Sequence, residues 1–378
     1  MPRPLPRAGG AAAAARRMPR PFAVRMSPHA ASGTFAARLL GWFDRHGRHD
    51  LPWQHPRTPY RVWLSEIMLQ QTQVRTVIPY FERFVAAFPD VAALAAASTD
   101  ALMAHWAGLG YYARARNLQA AARACVERHG GELPRDLDAL VALPGIGRST
   151  AGAILSQAWG ERAPILDGNV KRVLTRFHGI AGWPGQPAVE KPLWALAAAH
   201  VAEVPDGRMP DYTQAQMDFG ATQCTRARPA CAPCPLQDDC AALRGGLVDA
   251  LPTPRPGKPL PEREATALLL EDAAGAVLLQ RRPPTGIWAS LWTLPQADTD
   301  AAMRAWFEAG VDGDYDAAEE LPVIVHTFSH YRLHLRPLRL RRVALRAAVR
   351  DNDGLRWVAR GELGSLGLPA PIRTFLQG

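Results

Sequence analysis

At 378 residues the chain is longer than one hydrophobic core usually serves, so two domains and connecting segments are expected. Apolar residues make up 48% and charged residues 21%, as in an ordinary globular protein, and no apolar run approaches the roughly 18 residues of a membrane-spanning helix. The net charge of +9 rests almost wholly on arginine, because Lys171, Lys191 and Lys258 are the only lysines. Such a balance suits phosphate contacts and leaves few amines for covalent chemistry.

Residues 1–32 are rich in Ala, Arg and Pro, and no acidic residue precedes Asp44. They read as a disordered tail or an over-extended start, with Met18 or Met26 as alternative beginnings. From 33 to 248 the pattern is helical. Thr58-Pro59 is a helix start, a capping hydroxyl followed by proline at the first helical position. Gly108-Leu109-Gly110 and Pro144-Gly145-Ile146-Gly147 mark tight turns, and Asp167-Gly168-Asn169 opens a helix running to about His178. Residues 249–262 contain Pro252, Pro254, Pro256, Pro259 and Pro261 and form a semi-rigid linker. Beyond it, from 263 to 378, residues 267–270 and 276–280 flank Asp272-Ala273-Ala274-Gly275 as strand, turn and strand, and residues 326–336 alternate in the same manner. An all-α domain followed by an α+β domain is the expected order.

Four of the five cysteines crowd together as Cys224-x6-Cys231-x2-Cys234-x5-Cys240, while Cys125 stands alone. Without a cleavable secretory segment, clustered cysteines read as metal ligands in a reducing compartment. Four thiolates select Zn²⁺ or an iron–sulfur cluster, and spacing leaves both open. Pro229, Pro233 and Pro235 stiffen the loop, and Arg226 and Arg228 on it could reach a phosphate. A second anion site is suggested by Leu143-Pro144-Gly145-Ile146-Gly147-Arg148-Ser149. Glycines at Gly145 and Gly147 let backbone N–H groups face outward at the start of the next helix, where the dipole favours an anion.

Two carboxylates stand in unlike settings. Glu66 lies in Val62-Trp63-Leu64-Ser65-Glu66-Ile67-Met68-Leu69-Gln70, with no cation three or four residues away. Burial there raises its pKa and keeps a proton available, as a general acid requires. Asp167 opens a helix, where free N–H groups and the dipole favour the ionised form. A protonated acid beside an ionised carboxylate suits glycosidic cleavage.

The stretch from Leu51-Pro52-Trp53 through Gln73, with its Trp-Leu-Ser-Glu-Ile-Met-Leu-Gln-Gln-Thr-Gln core, resembles the adenine DNA glycosylase family, MutY. So do residues 108–117, 143–152 and 166–172 and the cysteine spacing, and the likeness runs from about residue 35 to the C-terminus. It implies an endonuclease III-like helix–hairpin–helix fold with a [4Fe–4S] cluster on Cys224, Cys231, Cys234 and Cys240, and a Nudix-like C-terminal domain that recognises 8-oxoguanine. It further implies a monomeric, cytoplasmic repair enzyme acting on double-stranded DNA with A:8-oxoG or A:G mispairs, without a membrane partner. Residue by residue, Glu66 matches the acid that protonates adenine at N7. Asp167 matches the carboxylate that steadies the sugar cation, and Asn169 a polar residue orienting it. Gln70 and Tyr111 match side chains that enter the base stack while adenine is flipped out. Relatives that also cut the backbone carry a lysine where this chain has Ser149, so a monofunctional glycosylase is implied. Phe328-Ser329-His330 resembles the loop that senses 8-oxoguanine, for which a serine hydroxyl can both donate and accept. The glutamate-rich helix of Nudix hydrolases is missing after Gly286, which implies a reader without phosphohydrolase chemistry.

Overall fold

The computed structural model describes residues 33–257, 259–346 and 354–377; the expected tail, 1–32, lies outside them. Helices extend from Phe35 to Arg244, and strands begin at Glu262. Among the described residues no helix is long and apolar enough to cross a membrane.

The helical part is organised around two cores. One gathers Trp63, Leu64, Met68, Phe81, Phe84, Trp106 and Leu118 around the helix Pro59–Leu69, which Thr58 caps from its side chain to Arg61 N. The other gathers Leu39, Phe43, Val170, Leu174, Leu193, Tyr212 and Phe219 around the helices Phe35–His46, Gly168–His178 and Met209–Asp218. Each fully buried Leu or Phe contributes roughly 1.5–3 kcal/mol. The helix Arg148–Trp159 serves both, sending Ala151, Ile154 and Leu155 into the first core and Ala153 into the second. It is the shared wall between them.

Close approach on that wall depends on Gly152. A Cβ there would lie 2.4 Å from the carbonyl oxygen of Pro164, on the segment leading to Asp167. Ser149 Oγ accepts a hydrogen bond from Leu166 N at 3.0 Å, so the helix start and the same segment are pinned together.

In the C-terminal part, Glu262–Glu271 and Arg332–Arg341 pair in parallel, with Glu262 opposite Arg332 and Glu271 opposite Arg341. Val277–Arg281 and then Leu355–Val358 extend the sheet on one side by antiparallel pairing. The first strand is covered on both faces, so every residue from Ala265 to Leu270 is buried, Thr266 among them. Leu268 and Leu270 pack on Met303 and Phe307 of the helix Asp300–Gly310, while Ala265, Ala267 and Leu269 join the first core of the helical domain. The two domains thus share one apolar cluster. The alternation read through residues 326–336 is broken in the structure: Ile324–Thr327 folds back on Arg332–Arg341, with Thr327 opposite Arg332 and Phe328 N bonded to Tyr331 O at 2.8 Å. Phe328, Ser329 and His330 therefore sit in a tight reversal between strands.

Gly152→Ala should destabilise the fold by about 1–3 kcal/mol, because the added methyl meets backbone that cannot swing aside. A thermal unfolding midpoint equal to that of the parent would show that the two segments part without cost.

Candidate active site and nucleic-acid interface

Glu66 lies on the helix Pro59–Leu69, whose other side is buried from Val62 to Met68. Its side chain is half-buried by area, open enough for a ligand, yet the surrounding protein removes enough solvent to push its carboxyl up to about 7. Burial is the first cause and the charge of Asp167 the second; a hydrogen bond of 3.0 Å donated by Gln157 Nε2 to Glu66 Oε1 works in the opposite direction. Gln157 is itself buried on the shared helix Arg148–Trp159, a position where an amide needs a partner. Gln157 is the single amide on a helix that also buries Ala151, Ile154 and Leu155, and that amide was the available signal in the sequence.

Asp167 caps the helix Gly168–His178, its Oδ1 accepting from Val170 N at 2.8 Å. The backbone N–H of Asn169 also favours the charged form, as do Arg172 and Lys171, but burial outweighs them and raises the carboxyl above the ordinary aspartate range. The expectation that the helix start alone would favour ionisation is corrected to this extent: the amides act as anticipated, and desolvation exceeds them. Asp167 and Glu66 lie near enough for the charge of one to oppose ionisation of the other. Glu66 and Asp167 stand on helices of different cores, and the helix Arg148–Trp159 is bonded to both segments, through Gln157 to Glu66 and through Ser149 to Leu166.

Asn169 Oδ1 accepts from Arg172 Nη2 at 2.8 Å, and Gly220 packs so closely against Asn169 that a Cβ there would stand 2.5 Å from the Asn169 Cβ. Lys171, whose charge acts on Asp167, is held by Glu190 at 2.8 Å.

The hairpin 144–147 turns with Gly145 at φ +79° against the side chain of Asn117. Gly147 opens the helix Arg148–Trp159 without a side-chain cap, so the first-turn N–H groups stay available to an external anion. Arg148 beside them lies over the Trp194 ring at 4.2 Å.

The cysteine loop follows the helix Met209–Asp218 and is anchored by arginines of the Asp167 helix. Arg172 Nε donates to Cys224 O at 2.8 Å and Arg172 Nη2 to Gly220 O at 2.6 Å. One turn later, buried Arg176 donates to Thr225 O, Arg226 O and Leu251 O and approaches Cys224 Sγ at 3.5 Å. All four thiols are free, and Cys231, Cys234 and Cys240 each feel the charge of Cys224. Among the described residues no group of three or more His, Cys, Asp or Glu is placed to clasp a single metal ion. Arg226 and Arg228 are exposed on this loop, and Cys125 is buried far along the chain in the first core.

Between the domains lies a cleft of about 1190 Å³, lined by Gln70, Tyr111, Phe328, Ser329 and His330. Gln70 ends the Glu66 helix, one turn beyond the carboxylate. Tyr111 is 51% exposed and held at φ +48°, a conformation an L-residue adopts only under constraint. The constraint is Arg114, which motif reading did not single out. Its Nη1 donates to Ile67 O, Met68 O and Gln70 O, and its Nη2 to Thr72 Oγ1, Leu109 O and Gly110 O. Burial pushes its guanidinium down to about 10. One side chain therefore joins the end of the Glu66 helix to the Tyr111 turn. Phe328 is packed against His326 at 4.6 Å, Tyr331 at 5.0 Å and Trp288 at 5.6 Å, which leaves Ser329 and His330 as the exposed members of the triplet.

A model of the HhH-GPD superfamily base excision DNA repair proteins matches residues 64–199, and a NUDIX domain model matches residues 266–378. Fold and matches define a helix–hairpin–helix repair glycosylase, an enzyme that hydrolyses N-glycosidic bonds, carrying a C-terminal Nudix domain. The adenine DNA glycosylase of Buchnera aphidicola subsp. Acyrthosiphon pisum is 34% identical over 91% of this chain and 97% of its own length. That of Homo sapiens is also 34% identical, over 91% of this chain and 73% of its own. Among solved structures a thermostable thymine-DNA glycosylase is 28% identical over 56% of this chain and 95% of that one, with a TM-score of 0.49. The chain belongs to the adenine DNA glycosylase family.

Arg114→Met should cost at least about 3 kcal/mol, since several buried carbonyls lose a charged donor at once. Arg114→Lys should not restore it, because a compact ammonium cannot reach both walls. Chemical denaturation of the two variants checks this; a fully stable lysine variant would count against the bridging role.

Proposed function

We propose that the protein removes adenine from A:8-oxoG and A:G mispairs in double-stranded DNA, as a cytoplasmic, monomeric and monofunctional glycosylase. The observation that carries this reading is the meeting of Glu66 and Asp167 from separate cores, with Glu66 held up to about 7 by burial and by its neighbour. Glu66 holds a proton and delivers it to N7 of the flipped adenine. The glycosidic bond breaks with its electron pair passing to the base, and the sugar becomes cationic. Asp167, ionised and held by the amides of Val170 and Asn169, stabilises that cation until water adds to it. Asn169, anchored by Arg172, keeps the start of this helix in place.

The hairpin Gly145, Gly147 and Ser149 grips a backbone phosphate through its free amides, while Gln70 and Tyr111 fill the space that the extruded adenine leaves. Ser149 offers no amine for a Schiff base, and its hydroxyl is already committed to Leu166 N. Phe328, Ser329 and His330 read the opposite base, the half-buried phenyl ring fixing the turn on which the serine and histidine are displayed. Cys224, Cys231, Cys234 and Cys240 are the residues that would hold the [4Fe–4S] cluster. The donor set fits: four free, soft thiols on one short loop, three of them within the field of Cys224. The cluster's contribution is structural closure of that loop, since four thiolate ligands leave no position for substrate.

The test is a duplex with adenine opposite 8-oxoguanine, incubated with the protein and then treated with alkali. Alkali-dependent breaks confined to the adenine strand are expected, and breaks without alkali would point to a lyase. Glu66→Gln should bind the same duplex yet lose cleavage by about 10²–10⁴-fold. Equal cleavage by the variant would remove Glu66 from the chemistry.

The pH dependence has a definite sign. The reactive form of Glu66 is protonated, so kcat/KM should fall as pH rises through about 7. Asp167 acts ionised, so activity should also fall on the acid side, at a pH above that of an ordinary aspartate. A profile flat from pH 6 to 9 would be incompatible with Glu66 as proton donor.

A further inference from the structure

We propose that Arg116 is a positioning residue that sets the Phe328-Ser329-His330 turn relative to Tyr111, and so governs discrimination between oxidised and normal guanine. The inference rests on the reading of that turn given above. Arg116 lies on the helix Ala113–Arg128, which starts directly after Tyr111 and Tyr112. Its Nη1 crosses the domain boundary and donates to Ala289 O at 2.8 Å. Ala289 is buried, and its two neighbours, Trp288 at φ +52° and Ser290 at φ +64°, are both in the left-handed region.

A bulky residue and a serine held so on either side of one carbonyl mark a backbone that its surroundings over-determine. The carbonyl they present is the one Arg116 binds. Trp288 passes the constraint on, because its ring is buried against Phe328 at 5.6 Å and His326 at 5.8 Å. Phe328 in turn carries Ser329 and His330. The route from the helix behind Tyr111 to the reading turn therefore runs through one guanidinium, one strained loop and one indole. Other links hold the domains together without touching this route: Arg281 pairs with Asp100 at 2.8 Å, and Gly367 packs against Met103.

The experiment measures single-turnover cleavage on A:8-oxoG and A:G duplexes for the parent, Arg116→Met, Arg116→Lys and Arg281→Met. The ratio of the two rates should fall at least about fivefold in Arg116→Met while the A:G rate stays within about twofold of the parent. Arg116→Lys, which keeps a cationic donor, should recover most of the ratio, and Arg281→Met should leave it unchanged. An unaltered ratio in Arg116→Met overturns the proposal, as does an equal loss in Arg281→Met, which would assign the effect to general loosening of the interface. If Arg116→Met fails to fold, Trp288→Leu tests the same route further along and should lower the ratio without lowering the A:G rate. A parent with no preference for A:8-oxoG would instead overturn the reading of the turn itself, before any variant is compared.

Discussion

The site depends on two carboxylates being held near each other away from bulk water. Left to themselves, the charges would separate or hydrate, because each loses solvation and each opposes the ionisation of the other. The fold prevents this by assigning them to different cores. Glu66 cannot retreat without disturbing Trp63, Leu64 and Met68, and Asp167 cannot retreat without dragging Val170 and Leu174. The helix Arg148–Trp159 sits between and supplies Gln157 to one carboxylate, while Ser149 holds the segment that leads to the other. Proton affinity is divided by local donors: Asp167 receives two backbone amides and two nearby cations, Glu66 a single neutral amide. The proposed role of Glu66 as the proton donor rests on this difference in donors.

The cysteine loop bears on this arrangement through arginine. Arg172 and Arg176 are four residues apart on the helix that Asp167 caps, so both project to one side. Together they bind carbonyls of Gly220, Cys224, Thr225, Arg226 and Leu251. The cysteine loop and the helix Gly168–His178 are thereby one mechanical unit, so whatever fixes the loop also fixes the helix that Asp167 caps.

Much of this was legible in the residues themselves, and the reasons for the rest are specific. Helix starts at Thr58-Pro59 and Asp167 could be read because capping is local chemistry, settled within three residues. The change from helices to strands could be read from periodicity. The reversal at Phe328 could not, since Phe-Ser-His-Tyr continues the alternation of its neighbours and only the pairing of Thr327 with Arg332 exposes the turn. Burial of Asp167 was likewise invisible: its helix-start context is local, while the protein that desolvates it comes from elsewhere in the chain. Gln157, Arg114 and Arg116 escaped notice for the same reason, as each has partners more than forty positions away, in the case of Arg116 in the other domain.

Where the backbone is strained shows what the two domains achieve together. Gln71, Tyr111 and Trp288 all adopt positive φ and all line the interdomain cleft, and Ser290 lies beside the last of them. Such conformations cost of order 1–3 kcal/mol each and survive only when other contacts compensate. On the helical wall the compensation is Arg114, with its six acceptors around Gln70 and Gly110. On the sheet wall it is Arg116 and the aromatic packing of Trp288. Both arginines stand on one helix, two residues apart, directly behind Tyr111. Strain on either side of the cleft is thus balanced from a single rigid element, so the distance between Tyr111 and the Phe328 turn is set by that helix rather than by the linker joining the domains.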